Sequence, residues 1–327
     1  MKKTKCTLAL RQISTLRKVA FLLTMTSILF TANSRKPVYD APGSVEGRWD
    51  LTMTRDGQNF PSWLEIRHSG NRMLVGDFVF ITGSARPVSR IFYQDGKIRF
   101  TLPPQWEEGD KDFMVEGIHH GDSLSGKLIS SDNKQYSFTG TRAPSLYRES
   151  APVWGAPIKL FNEKNLDGWH ATGKNQWKAE SGILRNPESG SNLVSDGLFS
   201  DFKLHIEFRY PKGSNSGIYL RGRYEVQVED GKGSEPLKDL FGAVYGFIKP
   251  AEMAAKAPGE WQYYDITLTG RMVSIVANGK MIICSQEIPG ITGGALDSQE
   301  GKPGPIMLQG DHGSVEFRNI IITPALN

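Results

Sequence analysis

The stretch NSGIYLRGRYEVQVED, Asn215 to Asp230, decides how this chain is read. Apolar and polar residues alternate on both sides of Gly222. Ile218 and Leu220 point one way, Tyr219 and Arg221 the other. Beyond the glycine, Tyr224, Val226 and Val228 form a core row, and Arg223, Glu225, Gln227 and Glu229 form the opposite row. A period of two is that of half-buried strands, and the glycine between them predicts a turn or bulge. The polar row suits a sugar cleft, because planar polar side chains meet pairs of hydroxyls and aromatic rings stack on sugar rings. The same row would also serve as the solvated outer face of an antiparallel sheet.

The pattern continues outward in both directions. DFKLHIEFRY (201–210), QYYDITLTG (262–270), MVSIVANGKMIIC (272–284), GPIMLQGD (304–311) and SVEFRNIIIT (314–323) read as further strands, and Asn278-Gly279 is a strong two-residue hairpin signal. Nearer the N-terminus, short strand-like runs from RWDLTM (48–53) to QYSFTG (135–140) recur at the spacing of a sandwich or barrel. Asp56-Gly57, Ser69-Gly70, Asp95-Gly96 and Gly121-Asp122 separate them. Between the two groups, APSLYRESAPVWGAP (143–157) has three prolines and no periodicity, which predicts a flexible linker. The chain is therefore expected to be all-β, with an N-terminal sandwich or barrel over 44–143, a linker over 144–157 and a second β domain over 158–325.

The N-terminus reads as an export leader over 1–34. Six basic residues end at Lys18, the apolar run VAFLLTMTSILF follows, and Ala32 and Ser34 satisfy the small-x-small rule for cleavage. The run is well short of the roughly 20 residues that span a bilayer. An exported, periplasmic protein with no stable membrane insertion is expected. Without the leader, 33 Lys and Arg face 35 Asp and Glu, so the net charge of +4 disappears. A nucleic-acid partner then has no electrostatic support. Cys6 leaves with the leader, and Cys284, in the apolar run MIIC, reads as a buried small hydrophobe.

A second polar constellation is PIMLQGDHGSVEFRNI, Pro305 to Ile320. Gln309, Asp311 and His312 sit among glycines at a strand end. Asp311 can orient the imidazole, and glycines let a ligand approach. The chain has no phosphate-binding loop, no GxSxG elbow, no CxxC pair and no HExxH. An ordinary glycosidase sets two carboxylates roughly 5–9.5 Å apart across the cleaved bond. Strand residues two apart lie about 6.6 Å apart at the Cα. The residue two beyond Glu225 is Gln227, so that in-strand pair is missing.

At these residues the second domain resembles the 3-keto-disaccharide hydrolase family. The marks are KLFNEKNLDGWH, NSGIYLRGRYEVQVED, GAVYGF, PGEWQYYDITLTG, ANGK and PGPIMLQGDHGSVEFRNI, in that order. The resemblance covers about 158–324 and implies a concanavalin-like jelly-roll sandwich acting on glycosides already oxidised to a ketone at sugar carbon 3. Such a ketone acidifies the hydrogen at carbon 2. A base can remove it, the group at carbon 1 leaves by β-elimination, and water adds. The site needs a base, an acid for the leaving oxygen and a positive group for the enolate. The expected catalytic residues are Glu225 or His312 as base and Arg221, or a divalent cation, at the enolate oxygen. Asn215, Tyr219, Gln227, Tyr245, Trp261, Gln309 and Asp311 are expected to bind the carbohydrate. Glu225, Asp230, Asp311 and His312 are the candidates for a hard metal ion. A glycan-binding sandwich without catalysis is the alternative.

Overall fold

The computed structural model describes residues 43–326. The expected leader, its expected cleavage site and Cys6 lie outside the described residues. Among the described residues there is no α-helix, and none long and apolar enough to cross a membrane.

Eight antiparallel strands close into a barrel: β1 (Gly47–Arg55), β2 (Gln58–Ser69), β3 (Met73–Val79), β4 (Arg86–Gln94), β5 (Lys97–Leu102), β6 (Phe113–His120), β7 (Ser123–Ile129) and β8 (Gln135–Arg142). Each pairs with the next, and β1 also pairs with β8, so the sheet has no free edge. The alternative left open by strand spacing is thereby resolved in favour of a barrel. Period two is visible in β5, where Ile98, Phe100 and Leu102 are buried and Lys97, Arg99 and Thr101 exposed. The tight turns behave as their residues require. Asp56-Gly57 and Asp95-Gly96 both take positive φ at both positions, which the right-handed twist of a two-residue hairpin demands.

A two-sheet sandwich follows. Its strands are β9 (Ile158–Lys159), β10 (Trp169–Ala171), β11 (Lys178–Glu180), β12 (Ile183–Asn186), β13 (Leu193–Ser195), β14 (Phe202–Arg209), β15 (Asn215–Leu220), β16 (Tyr224–Glu229), β17 (Gln262–Thr269), β18 (Met272–Ala277), β19 (Lys280–Glu287), β20 (Met307–Leu308) and β21 (Val315–Pro324). One sheet has the order β10-β13-β20-β15-β16. The other runs β11-β12-β21-β14-β17-β18-β19, with β9 paired to β21. Ile218, Leu220, Tyr224, Val226 and Val228 of the first sheet join Leu204, Ile206, Phe208, Ile266, Ile275 and Phe317 of the second in one buried cluster. Their non-adjacent strand order reflects strands that cross between sheets rather than simple meanders.

Two expectations are corrected. The segment 144–157 is not a loose tether. Arg148 pairs with buried Asp201 through Nε at 2.7 Å and Nη2 at 3.0 Å, Leu146 is buried, and Lys203 lies over the Trp154 ring. The barrel also shares the sandwich core: Trp63 and Val79, opposite one another on β2 and β3, belong to the same apolar cluster as the sandwich. Cys284 is half-buried on β19 rather than a core residue, because the register of β18 with β19 shifts beside it.

Candidate active site

β15 and β16 form a hairpin in which Tyr219 stands opposite Glu225, Gly217 opposite Gln227 and Asn215 opposite Glu229. The alternation read from the sequence holds. Ile218, Tyr224, Val226 and Val228 enter the core, so Asn215, Gly217, Tyr219, Glu225 and Gln227 share the opposite face. Met307 of β20 lies beside Tyr219, and Gln309 donates its N–H to Gly217 O at 2.9 Å, which places Gln309 in the Gly217–Gln227 row. Thus two separate motifs meet on one sheet face.

Glu225 is the centre of this face. The residue is 4% exposed, and burial pushes its carboxyl up to about 8. The Tyr219 hydroxyl, 2.9 Å from Oε2, opposes that rise, as does the charge of His312, while Asp311 and Glu229 add to it. The carboxylate lies over Gly217, where a β-carbon would stand 2.4 Å from Oε1. Gly217 is therefore needed as a hollow in the strand. The Tyr219 hydroxyl also lies 2.9 Å from Gly293 O. Its own ionisation is pushed far up by burial and then by Glu225. Tyr219 consequently stays neutral and donates.

His312 is half-exposed, with Nδ1 2.6 Å from Asp311 Oδ1. That hydrogen bond raises its pKa, burial opposes the rise, and the charges of Asp311 and Glu225 add to it. Glu225 and His312 therefore act on each other electrostatically. The Oε1 atoms of Gln227 and Gln309 are both buried without a hydrogen-bond partner. Buried acceptors of this kind are rare in a folded protein and call for an explanation. Gln227 is held from its other end, Nε2 to Asp239 O at 3.2 Å.

Tyr245 lies at the β16 edge, its N–H bonded to Glu225 O at 3.0 Å. Burial and then Glu225 push its hydroxyl up to about 12. The segment around it pairs with β16 through Val244 opposite Val226. Asn215 sits at the strand start, half-buried on the same face.

Two residues are placed elsewhere. Arg221 is 1% exposed and takes φ of +54° in the hairpin turn. Its Nη2 donates to the Tyr224 hydroxyl and to Gly270 O, both at 2.9 Å. It thus shares the core side of the sheet with Tyr224 and is turned away from Glu225. The left-handed turn residue breaks the alternation that placed Arg221 beside Tyr219. Trp261 lies against the other sheet, between Arg318 at 3.9 Å and Arg209 at 4.7 Å from its ring. Its motif belongs to β17, and β17 is in the second sheet.

Asp230 caps a loop through Oδ2 to the Gly213 N–H at 3.1 Å. Among the described residues no three His, Cys, Asp or Glu side chains converge as a group able to hold a metal ion. A hollow of about 320 Å³ lies away from this face, at the seam of barrel and sandwich around Asp50 and Glu300.

Some residues at the site escaped the sequence reading. Gly293 and Gly294 lie against the Tyr219 hydroxyl, where a β-carbon at Gly294 would stand 2.6 Å from it. The barrel contributes too: Gly294 N–H bonds Ile81 O at 3.0 Å, and Ser84 packs on Gly246. Glycines in long loops carry no periodicity, and no sequence signal links a barrel loop to β16.

A 3-keto-disaccharide hydrolase of Bacteroides thetaiotaomicron is 30% identical over 97 residues, which are 26% of this chain and 33% of that protein. The aligned part thus spans a third of that curated relative. A solved structure of a candidate glycosyl hydrolase from Parabacteroides distasonis is 29% identical, with a TM-score of 0.45 over 54% of this chain and 92% of that one. A carbohydrate-binding module from Bacillus subtilis is 14% identical, with a TM-score of 0.35 over 47% of this chain and 93% of that one. Residues 156–323, just over half of the chain, match the 3-keto-α-glucoside-1,2-lyase-like domain family, and the chain belongs to that family.

Proposed function

We propose that this protein cleaves the glycosidic bond of 3-keto-glycosides at the Glu225 face, by elimination followed by hydration. The observation that carries this reading is one buried carboxylate, held by Tyr219 and acted on by the Asp311–His312 pair, with unpartnered acceptors beside it. A direct displacement would call for a second carboxylate across the bond. An elimination calls for a base stronger than an ordinary carboxylate, and burial makes Glu225 such a base.

Glu225 takes the proton from carbon 2, which the neighbouring ketone has made acidic. The electron pair becomes the enolate, and the His312 imidazolium faces the developing charge. Collapse of the enolate expels the group at carbon 1, whose oxygen takes a proton from His312. Water then adds: its hydroxide goes to carbon 1, its proton returns to His312, and the Glu225 proton returns to carbon 2. Gln227 and Gln309 accept hydrogen bonds from sugar hydroxyls, and Tyr219 steadies the Glu225 carboxylate.

Mass spectrometry of products from a 3-keto-disaccharide and from its unoxidised counterpart tests the reading. Cleavage of the keto form alone is expected, because the unoxidised sugar has no acidic carbon-2 hydrogen. Glu225→Gln should lower turnover by about 10²–10⁴ and keep binding. Equal cleavage of both sugars would overturn the elimination, and binding without turnover in the unaltered protein would make this a glycan-binding sandwich.

A further inference from the structure

The barrel reaches the Glu225 face through one loop pair, and that pair presents an aromatic ring. Gly293, whose carbonyl oxygen lies 2.9 Å from the Tyr219 hydroxyl oxygen, packs so tightly on the barrel that a β-carbon there would stand 2.2 Å from Gly83 O. Trp106 flanks Gly83 in turn, its Cδ1 3.0 Å from the β-carbon position. Trp106 also acts on Tyr245, offsetting part of the rise in its hydroxyl pKa, and the Tyr245 N–H bonds Glu225 O. A short chain of contact therefore connects Trp106 to Glu225 through Gly83, Gly293 and Tyr219.

Trp106 nevertheless keeps 71% of its surface exposed. A single exposed apolar residue needs no explanation, but a loop built to hold one does. The Glu107 carboxylate accepts the N–H groups of Gln105 at 2.8 Å and Trp106 at 3.2 Å. Glu107 is itself gripped by the Arg86 guanidinium at 3.2 Å, which is 6% exposed and stacked on Phe113. Arg86 also bonds Pro103 O at 3.2 Å, and Gln105 Oε1 accepts the Ser84 N–H at 3.0 Å. Burying an Arg–Glu pair beneath a surface loop is costly, and Arg86 Nε is left without a partner. Here its effect is to fix the backbone on which the indole stands. An aromatic on a fixed backbone with most of its surface open is the kind of group that binds a sugar ring from one side.

We propose that Trp106 is a sugar-binding platform supplied by the barrel, stacking on a second ring of the substrate next to the ring that meets Glu225. This rests on the reading of the Glu225 face as a glycoside site. It makes the barrel part of substrate selection: the sandwich carries the reacting groups, and the barrel favours substrates with a second sugar unit.

The test uses the full chain carrying Glu225→Gln, with and without Trp106→Ala, and calorimetric titration with a 3-keto-disaccharide and with methyl 3-keto-glucoside. Trp106→Ala should weaken disaccharide binding by about 10- to 100-fold, the usual worth of a central aromatic contact. Methyl 3-keto-glucoside binding should stay within about twofold, and Trp106→Phe should keep most of the disaccharide affinity. Melting temperature should not change, because the removed ring is mostly exposed. Unchanged disaccharide affinity, or an equal loss for both ligands, overturns the platform while leaving the Glu225 site intact. Failure of the Glu225→Gln protein to bind either ligand overturns the site itself and the platform with it.

Discussion

The carboxylate of Glu225 fills the space that a side chain at Gly217 would need, with Oε1 2.4 Å from the position of a β-carbon there. Gly217→Ala must displace either the carboxylate or the strand. Overpacking of this kind costs about 1–3 kcal/mol. We expect a stability loss in that range by denaturant unfolding. Turnover should fall at least about tenfold, because a base moved by a fraction of an ångström no longer meets its proton.

Replacement of Glu225 or His312 should lower kcat/KM by about 10²–10⁴, the range of positioned acid–base catalysis. Since Glu225 must be ionised to act as base, kcat/KM should rise with pH through about 8. Tyr219→Phe removes a bond that favours the ionised form. The rising limb of the pH profile should therefore move to higher pH in that variant. A limb that stays in place would show that Tyr219 does not tune the base.

The seam between barrel and sandwich should give the protein a stability that declines as pH rises from about 4 to about 9. Asp50, 7% exposed, is pushed up to about 9 by burial and then by the nearby charge of Glu300. Burial alone would raise Glu300 too, but Arg271, which donates to it from Nη2 at 2.6 Å, holds it below the usual range. A carboxyl raised on folding is protonated in the native state and ionised in the unfolded chain between about pH 4 and 9. Its contribution is present below pH 4 and is lost as pH rises through 9. Glu300 works in the opposite sense, adding stability above its unfolded value. Thermal unfolding across pH 5–9 should show the decline, and Asp50→Asn should make it shallower, with Glu225 supplying the remainder.

Trp63 is fully buried in the sandwich core although it belongs to the barrel. It meets Phe247 edge-on at 5.4 Å. Trp63→Ala should cost about 3–5 kcal/mol, as large-to-small core changes do. Because the core is shared, barrel and sandwich should unfold in one calorimetric transition in the unaltered protein. Two separate transitions, or two stable fragments after proteolysis within 144–157, would contradict the shared core.

We propose export with cleavage near Ser34, on the basic stretch and short apolar run that precede it. N-terminal sequencing of protein recovered from its native host should begin close to Arg35. Retention of Met1 would refute cleavage.

The amino-acid sequence by itself determined the all-β character of the chain, the hairpin at Asn215–Asp230 and the grouping of Tyr219, Glu225 and Gln227 on one face. All three follow from local rules: a period of two assigns faces, and Asp-Gly, Asn-Gly or a lone glycine marks the reversals. The motif around Gln309 and His312 was legible as polar residues among glycines, although only the pairing of β20 with β15 brings it beside Glu225. Arg221 shows where the local rule ends, because one residue in left-handed backbone sends its side chain to Tyr224 and Gly270. Trp261 shows the other limit, since alternation names a face but not the sheet to which a strand is added. The docking of Trp63 into the sandwich, the tying down of 144–157 and the approach of Trp106 to Tyr245 were decided by tertiary structure alone. They join segments far apart in the chain through packing, and packing depends on shape and register rather than on any short pattern of residues.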